Sequence, residues 1–86
     1  MTKEIANLIL STDYGFLTKE DLKNLIKIDA GFPVVVKFGC SPRRFVMAKH
    51  VNFTIEEAEK RGDYVRDIFF SCEQLDEAKR TLDRNS

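Results

Sequence analysis

The stretch FGCSPRRFVMAKH, residues 38–50, gathers Cys40, one of two cysteines, and Pro42, one of two prolines. It also holds the adjacent Arg43 and Arg44, then Lys49 and the only histidine, His50. Three chemistries are open to such a set. A cysteine-based phosphate cradle needs an arginine about six positions past the cysteine and a helix start behind it. That position is Val46, and the arginines come too early. A Cys–His nucleophile pair needs the two side chains in hydrogen-bond reach. In a hairpin turning at residues 41–44, Cys40 lies beside Phe45 while His50 is level with Val35, more than ~10 Å away at ~3.3 Å per strand residue. What remains is a bend: Ser41 followed by Pro42 suits the first two positions of a type I turn.

Other candidates fare no better. Cys72 follows Ser71 at an expected helix start, where the dipole favours a thiolate, but Glu73 opposes it. A thiol enzyme built on Cys40 or Cys72 is therefore the third-ranked function. Aligned on Gly15, the segment STDYGFLTKED has the outline of a calcium loop, with Leu10 and Tyr14 at two ligand positions and Asp21 for the bidentate glutamate. Too few hard oxygens remain to hold Ca²⁺. His50 has no second histidine to share a metal, and the carboxylate pairs Glu56/Glu57 and Asp76/Glu77 fall on solvated helix faces. No catalytic, cofactor-binding or metal site is expected.

The charge pattern is more informative. The chain carries 14 bases and 14 acids, so its formal net charge is +0, yet residues 30–55 hold Lys37, Arg43, Arg44 and Lys49 and no acid. The flanking parts lean acidic. A local basic segment in a neutral chain can present a positive face. Lys37, Arg43, Arg44, Lys49 and His50 are thus the candidate residues for binding a macromolecule, on a basic hairpin spanning 37–50.

The elements that must position them follow from periodicity. A helix is expected over Lys3–Leu10 with Thr2 as N-cap, and a second from Thr18 with Asp21 completing a capping box. Phe32, Val34, Val36 and Phe38 alternate with Pro33, Val35 and Lys37, which predicts a strand over 32–40. The next strand, 44–53, puts Phe45, Met47, Val51 and Phe53 inward and Arg44, Val46, Ala48 and His50 outward; Lys49 then falls on the apolar side. Thr54 and Glu57 resemble a capping box opening a short helix that ends near Gly62. A strand over 64–70 follows, the alternative being one helix from Ile55 to Phe69. Ser71 and Gln74 cap a final helix with Leu75, Ala78 and Leu82 inward. The expected fold is a single α+β domain, 1–86, in the order α-α-β-β-α-β-α, with a small three-stranded, mainly antiparallel sheet and helices on one face.

With 86 residues and 43% hydrophobic content, seven phenylalanines among them, the chain can build one modest core. Its longest apolar run, FPVVV, falls far short of the ~20 residues of a membrane span. The N-terminus has no secretory pattern. Two cysteines without CxxC spacing suit reduced thiols in the cytoplasm. The expected function is a small non-enzymatic binding or regulatory protein that contacts another protein, in the manner of accessory or inhibitory factors, including virus-encoded ones. The alternative is a weak nucleic-acid binder using the basic hairpin. With three or four phosphate contacts its salt slope would be only about −3 on duplex DNA, and with Phe38 and Phe45 inward it would lack stacking surfaces.

Overall fold

A computed structural model describes residues 1–84. Helices α1 (Lys3–Ser11) and α2 (Lys19–Asp29) lead into strands β1 (Pro33–Phe38) and β2 (Arg44–Met47). A 3₁₀ turn (Ala48–His50) runs directly into α3 (Val51–Lys60), followed by β3 (Val65–Phe69) and α4 (Cys72–Arg84). The strands form an antiparallel sheet in the order β2-β1-β3. The expected α+β order and sheet are present.

Three helix starts are set by the residues the sequence nominates. The Thr2 hydroxyl accepts the Ile5 N–H. Thr18 and Asp21 make both bonds of a capping box, and Ser71 and Gln74 exchange the same reciprocal pair. These bonds satisfy helix N–H groups that have no intrahelical partner. The Gln74 amide also donates to the Pro33 carbonyl at 2.8 Å, tying the start of α4 to the start of β1.

One apolar cluster joins all the elements. Ile5, Ala6 and Ile9 of α1, Leu22 and Leu25 of α2 and Ala78 of α4 pack with Val34, Val36 and Phe38 of β1 and with Val51, Ala58 and Phe70. Burying one of its Val, Leu, Ile or Phe side chains contributes roughly 1.5–3 kcal/mol. The opposite side of the sheet carries Pro33, Val35 and Lys37 flanked by Phe45, Met47, Asp67 and Phe69. Most of these are exposed, so the helices cover only one face.

The second strand departs from expectation. It ends at Met47 rather than residue 53, and the chain then coils. Ala48 N–H donates to Phe32 C=O and Lys49 N–H to Ala30 C=O, the last tethers to β1 and its approach. Beyond them Val51, Thr54 and Ala58 are buried at helical spacing. Thr54 therefore caps nothing. It lies inside α3, where its hydroxyl donates to the His50 carbonyl at 2.9 Å. Gly62 ends this helix as its composition predicts, with φ of 78°. Residues 55–69 are helix then strand.

The sheet's two outer edges differ. Asp13 and Phe16 close a tight turn through Tyr14 (φ 55°) and Gly15 (φ 87°). The segment after it lines β3: Leu17 N–H donates to Ile68 C=O and Phe70 N–H to Gly15 C=O. The calcium-loop outline is thus a turn that closes one sheet edge. The β2 edge has no such cover among the described residues.

Candidate functional site

The loop 39–43 between β1 and β2 is held from below by one carboxylate. Asp63 follows Gly62, so the left-handed turn that ends α3 delivers it beneath the loop. It accepts the Ser41 hydroxyl at 2.6 Å and the N–H groups of Cys40 and Tyr64, both at 2.8 Å, with the Arg61 guanidinium 3.7 Å away. The Ser41 hydroxyl bond is the largest cause holding its pKa down at about 2; burial opposes it, and the N–H groups of Tyr64 and Cys40 add to the lowering. The Ser41 hydroxyl is spent on Asp63, and Pro42 and Arg43 are displayed at the surface.

Two guanidiniums sit over one ring beside this loop. Arg44 lies 5.3 Å and Arg61 5.1 Å from the centroid of Phe38. Such cation–π contacts hold the two charges over the ring, and Arg61 also faces the Asp63 carboxylate. Arg44 faces the helices, not the open side, because it pairs with the core residue Val36.

That pairing inverts the expected faces of β2. Val46 lies opposite Val34 and packs against the core, and Ala48 is buried, so neither is outward. Phe45 and Met47 turn away from the core, and Phe53, on the first turn of α3, is also outside it. Their exposures of 59%, 40% and 62% overturn their expected inward placement. Val51 is buried as expected, although from a helix. The cause is the early end of the strand: Val51 and Phe53 belong to α3, so carrying one alternation through residue 53 could not set the faces of residues 44–48.

The five expected basic residues do not form one surface. Lys37 is on the open face, level with Asp67 of β3. Arg43 is in the loop at one end of β2, and Lys49 is in the 3₁₀ turn at the other. Only Arg44 and His50 come together, in a shallow groove of about 470 Å³ along the free edge of β2. Phe45, Val46, Met47, Phe53 and Thr54 line the rest of it. The aromatic content of this edge was hidden by the assumed register. Its signal was Lys49, whose misfit disappears once the strand stops at Met47.

A second groove of about 580 Å³ runs between α2, α3 and β3. Its lining mixes Leu22, Ile26, Ile55 and Ile68 with Lys23, Glu59, Arg66 and Asp67, so its charges are of both signs.

Cys40 and Cys72 are both free and exposed. Cys40 lies just past the end of β1 and His50 just past the end of its antiparallel neighbour β2, so they occupy opposite ends of the sheet. Among the described residues no cluster of three or more His, Cys, Asp and Glu could hold a metal ion. No helix among them is long and apolar enough to cross a membrane. The chain matches no model of a known protein family, no curated protein and no solved structure.

Proposed function

We propose that this chain is a non-enzymatic binding protein that acts by contacting another protein through the free edge of β2 and the groove beside it. The observation that carries this reading is the joint exposure of Phe45, Met47 and Phe53 along one groove rimmed by Arg44 and His50. Apolar patches with polar rims mark interaction sites. Aromatic, Met and Arg side chains are also the types enriched where protein interfaces gain most of their affinity. A chain of this size with such a surface acts by occupying its partner, as accessory and inhibitory factors do, virus-encoded ones among them. Free thiols at Cys40 and Cys72 suit a reducing cytoplasm.

Nucleic acid is the second reading, favoured by one observation: Phe45 and Phe53 are exposed near Arg43 and Arg44, which supplies the stacking surfaces that single-strand binding uses. It ranks lower because Lys37, on the same open face, stands across from Asp67, and because the segments flanking residues 30–55 are net acidic.

The test is affinity capture from the native cell, followed by rebinding of the purified partner. A protein partner should be lost with Phe45→Ala/Phe53→Ala and kept with Cys40→Ser/Cys72→Ser. A captured nucleic acid whose affinity falls with salt and with Arg43→Ala/Arg44→Ala would replace this reading. A partner indifferent to Phe45 and Phe53 would refute it.

A further inference from the structure

The hydrogen-bond register of β2 determines what its edge can offer. Ala48 N–H bonds to Phe32 C=O, and in the same register Val46 faces Val34 and Arg44 faces Val36. In an antiparallel pair, bonded and non-bonded positions alternate. Arg44, Val46 and Ala48 are therefore the bonded positions, and Phe45 and Met47 turn their N–H groups away from β1. Among the described residues no backbone segment meets them there. The opposite edge of the sheet is closed by residues 15–17. Natural sheets blunt or cover their edges, yet this one carries two large exposed apolar side chains and is flanked by Phe53.

We infer that the outer edge of β2 takes up an extended segment of a partner protein in which apolar and acidic residues alternate, adding a fourth strand to the sheet. This rests on the protein-contact reading above and names how the contact is made. In strand addition, main-chain bonds supply affinity and alternate side chains supply specificity. Side chains of the incoming strand on the open face meet Phe45 and Met47. Those on the helix side meet Arg44 and His50, with Phe53 flanking. Charge selects the occupant. Residues 30–55 contain no acid, so the same edge of a second copy, paired antiparallel, would bring Arg43 towards the copy's Lys49 and would offer Arg44 no carboxylate. Like charges across a strand pair are destabilising. An acidic partner segment has the complementary sign.

Met47 allows a clean test. Its φ of −62° is the value proline imposes, and its N–H faces outward. Met47→Pro thus removes an edge donor without removing a bond to β1, and Met47→Ala controls for the side chain. A library of random linear peptides displayed on phage serves as the probe. Recovered peptides should alternate apolar and acidic residues. Met47→Pro should weaken them about tenfold relative to Met47→Ala, the effect of one lost edge bond. N-methylation of single peptide amides should abolish binding at every second position, a readout independent of how the Met47→Pro chain folds. Peptides that need Phe45 but tolerate N-methylation everywhere would overturn strand addition while keeping protein contact. Basic peptides, or self-association of the chain through Phe45, would overturn the proposed occupant. A library yielding no ligand that depends on residues 44–53 would overturn the inference, leaving the captured native partner to decide the broader reading.

Discussion

Phe45 lies directly across from Val35 on the open face of the sheet, and Phe69 flanks Val35 from the other side. Val35 is buried without any helix above it, because its cross-strand neighbours cover it. The open face therefore has an apolar row at its centre, whose β2 end projects into solvent.

Truncation should separate core from surface. Leu25→Ala should cost about 2–5 kcal/mol and Phe70→Ala about 3–5 kcal/mol, since both are fully buried. Phe53→Ala, on an exposed turn, should stay within about 0.5 kcal/mol of the parent. Chemical denaturation of the three variants checks this. A large cost at Phe53 would mean that its ring belongs to the core.

Asp63 should make the loop acid-sensitive. Its folded pKa of about 2 is below its ordinary value of 3.8, so ionised Asp63 favours the fold above pH 4. That contribution should fade as pH falls from about 4 through about 2 and be absent below. Asp63→Asn should lower the thermal midpoint at neutral pH and flatten its decline across this window. Carbon-detected NMR titration of the carboxyl would locate the midpoint directly, and Ser41→Ala should move it upward.

Backbone handedness gives a third test. Gly62→Ala should destabilise by about 1 kcal/mol, because only glycine adopts its positive φ without strain. The space around Gly62 is open, so the effect should be conformational. Gly15→Ala should cost more, because its new methyl would press on the Phe70 carbonyl and the Leu75 side chain.

Helix starts can be checked by single deletions. Thr18→Ala and Ser71→Ala should each cost about 1 kcal/mol, the usual value of an N-cap. Both should lower the urea midpoint without changing the slope.

Much of this architecture was legible in the chain itself. Thr2, Thr18 and Ser71 named three helix starts, and Gly62 an end, because caps are local chemistry. The faces of β1 were legible too, since Val34, Val36 and Phe38 alternate with a proline and a lysine. The candidate site was less so. Alternation in β2 and helical spacing in α3 meet without a glycine or proline between them, so the misplaced Lys49 was the local mark of the boundary at Met47. A shift of one residue reverses every side chain of a strand, and this hid the exposure of Phe45 and Met47. The clamp on the loop was missed for a different reason: Asp63 and Ser41 are 22 positions apart, and only the folded chain brings them together. The charge of residues 37–50 is local in the sequence, but its division between faces and ends of the sheet depends on the same register.

The most direct test is amide hydrogen exchange at residues 44–47, measured with and without the captured partner. In the free chain, Phe45 and Met47 should exchange much faster than Arg44 and Val46, and the partner should slow both selectively. Equal protection of all four in the free chain, or fast exchange at Phe45 and Met47 that the partner leaves unchanged, would contradict an open β2 edge as the contact surface.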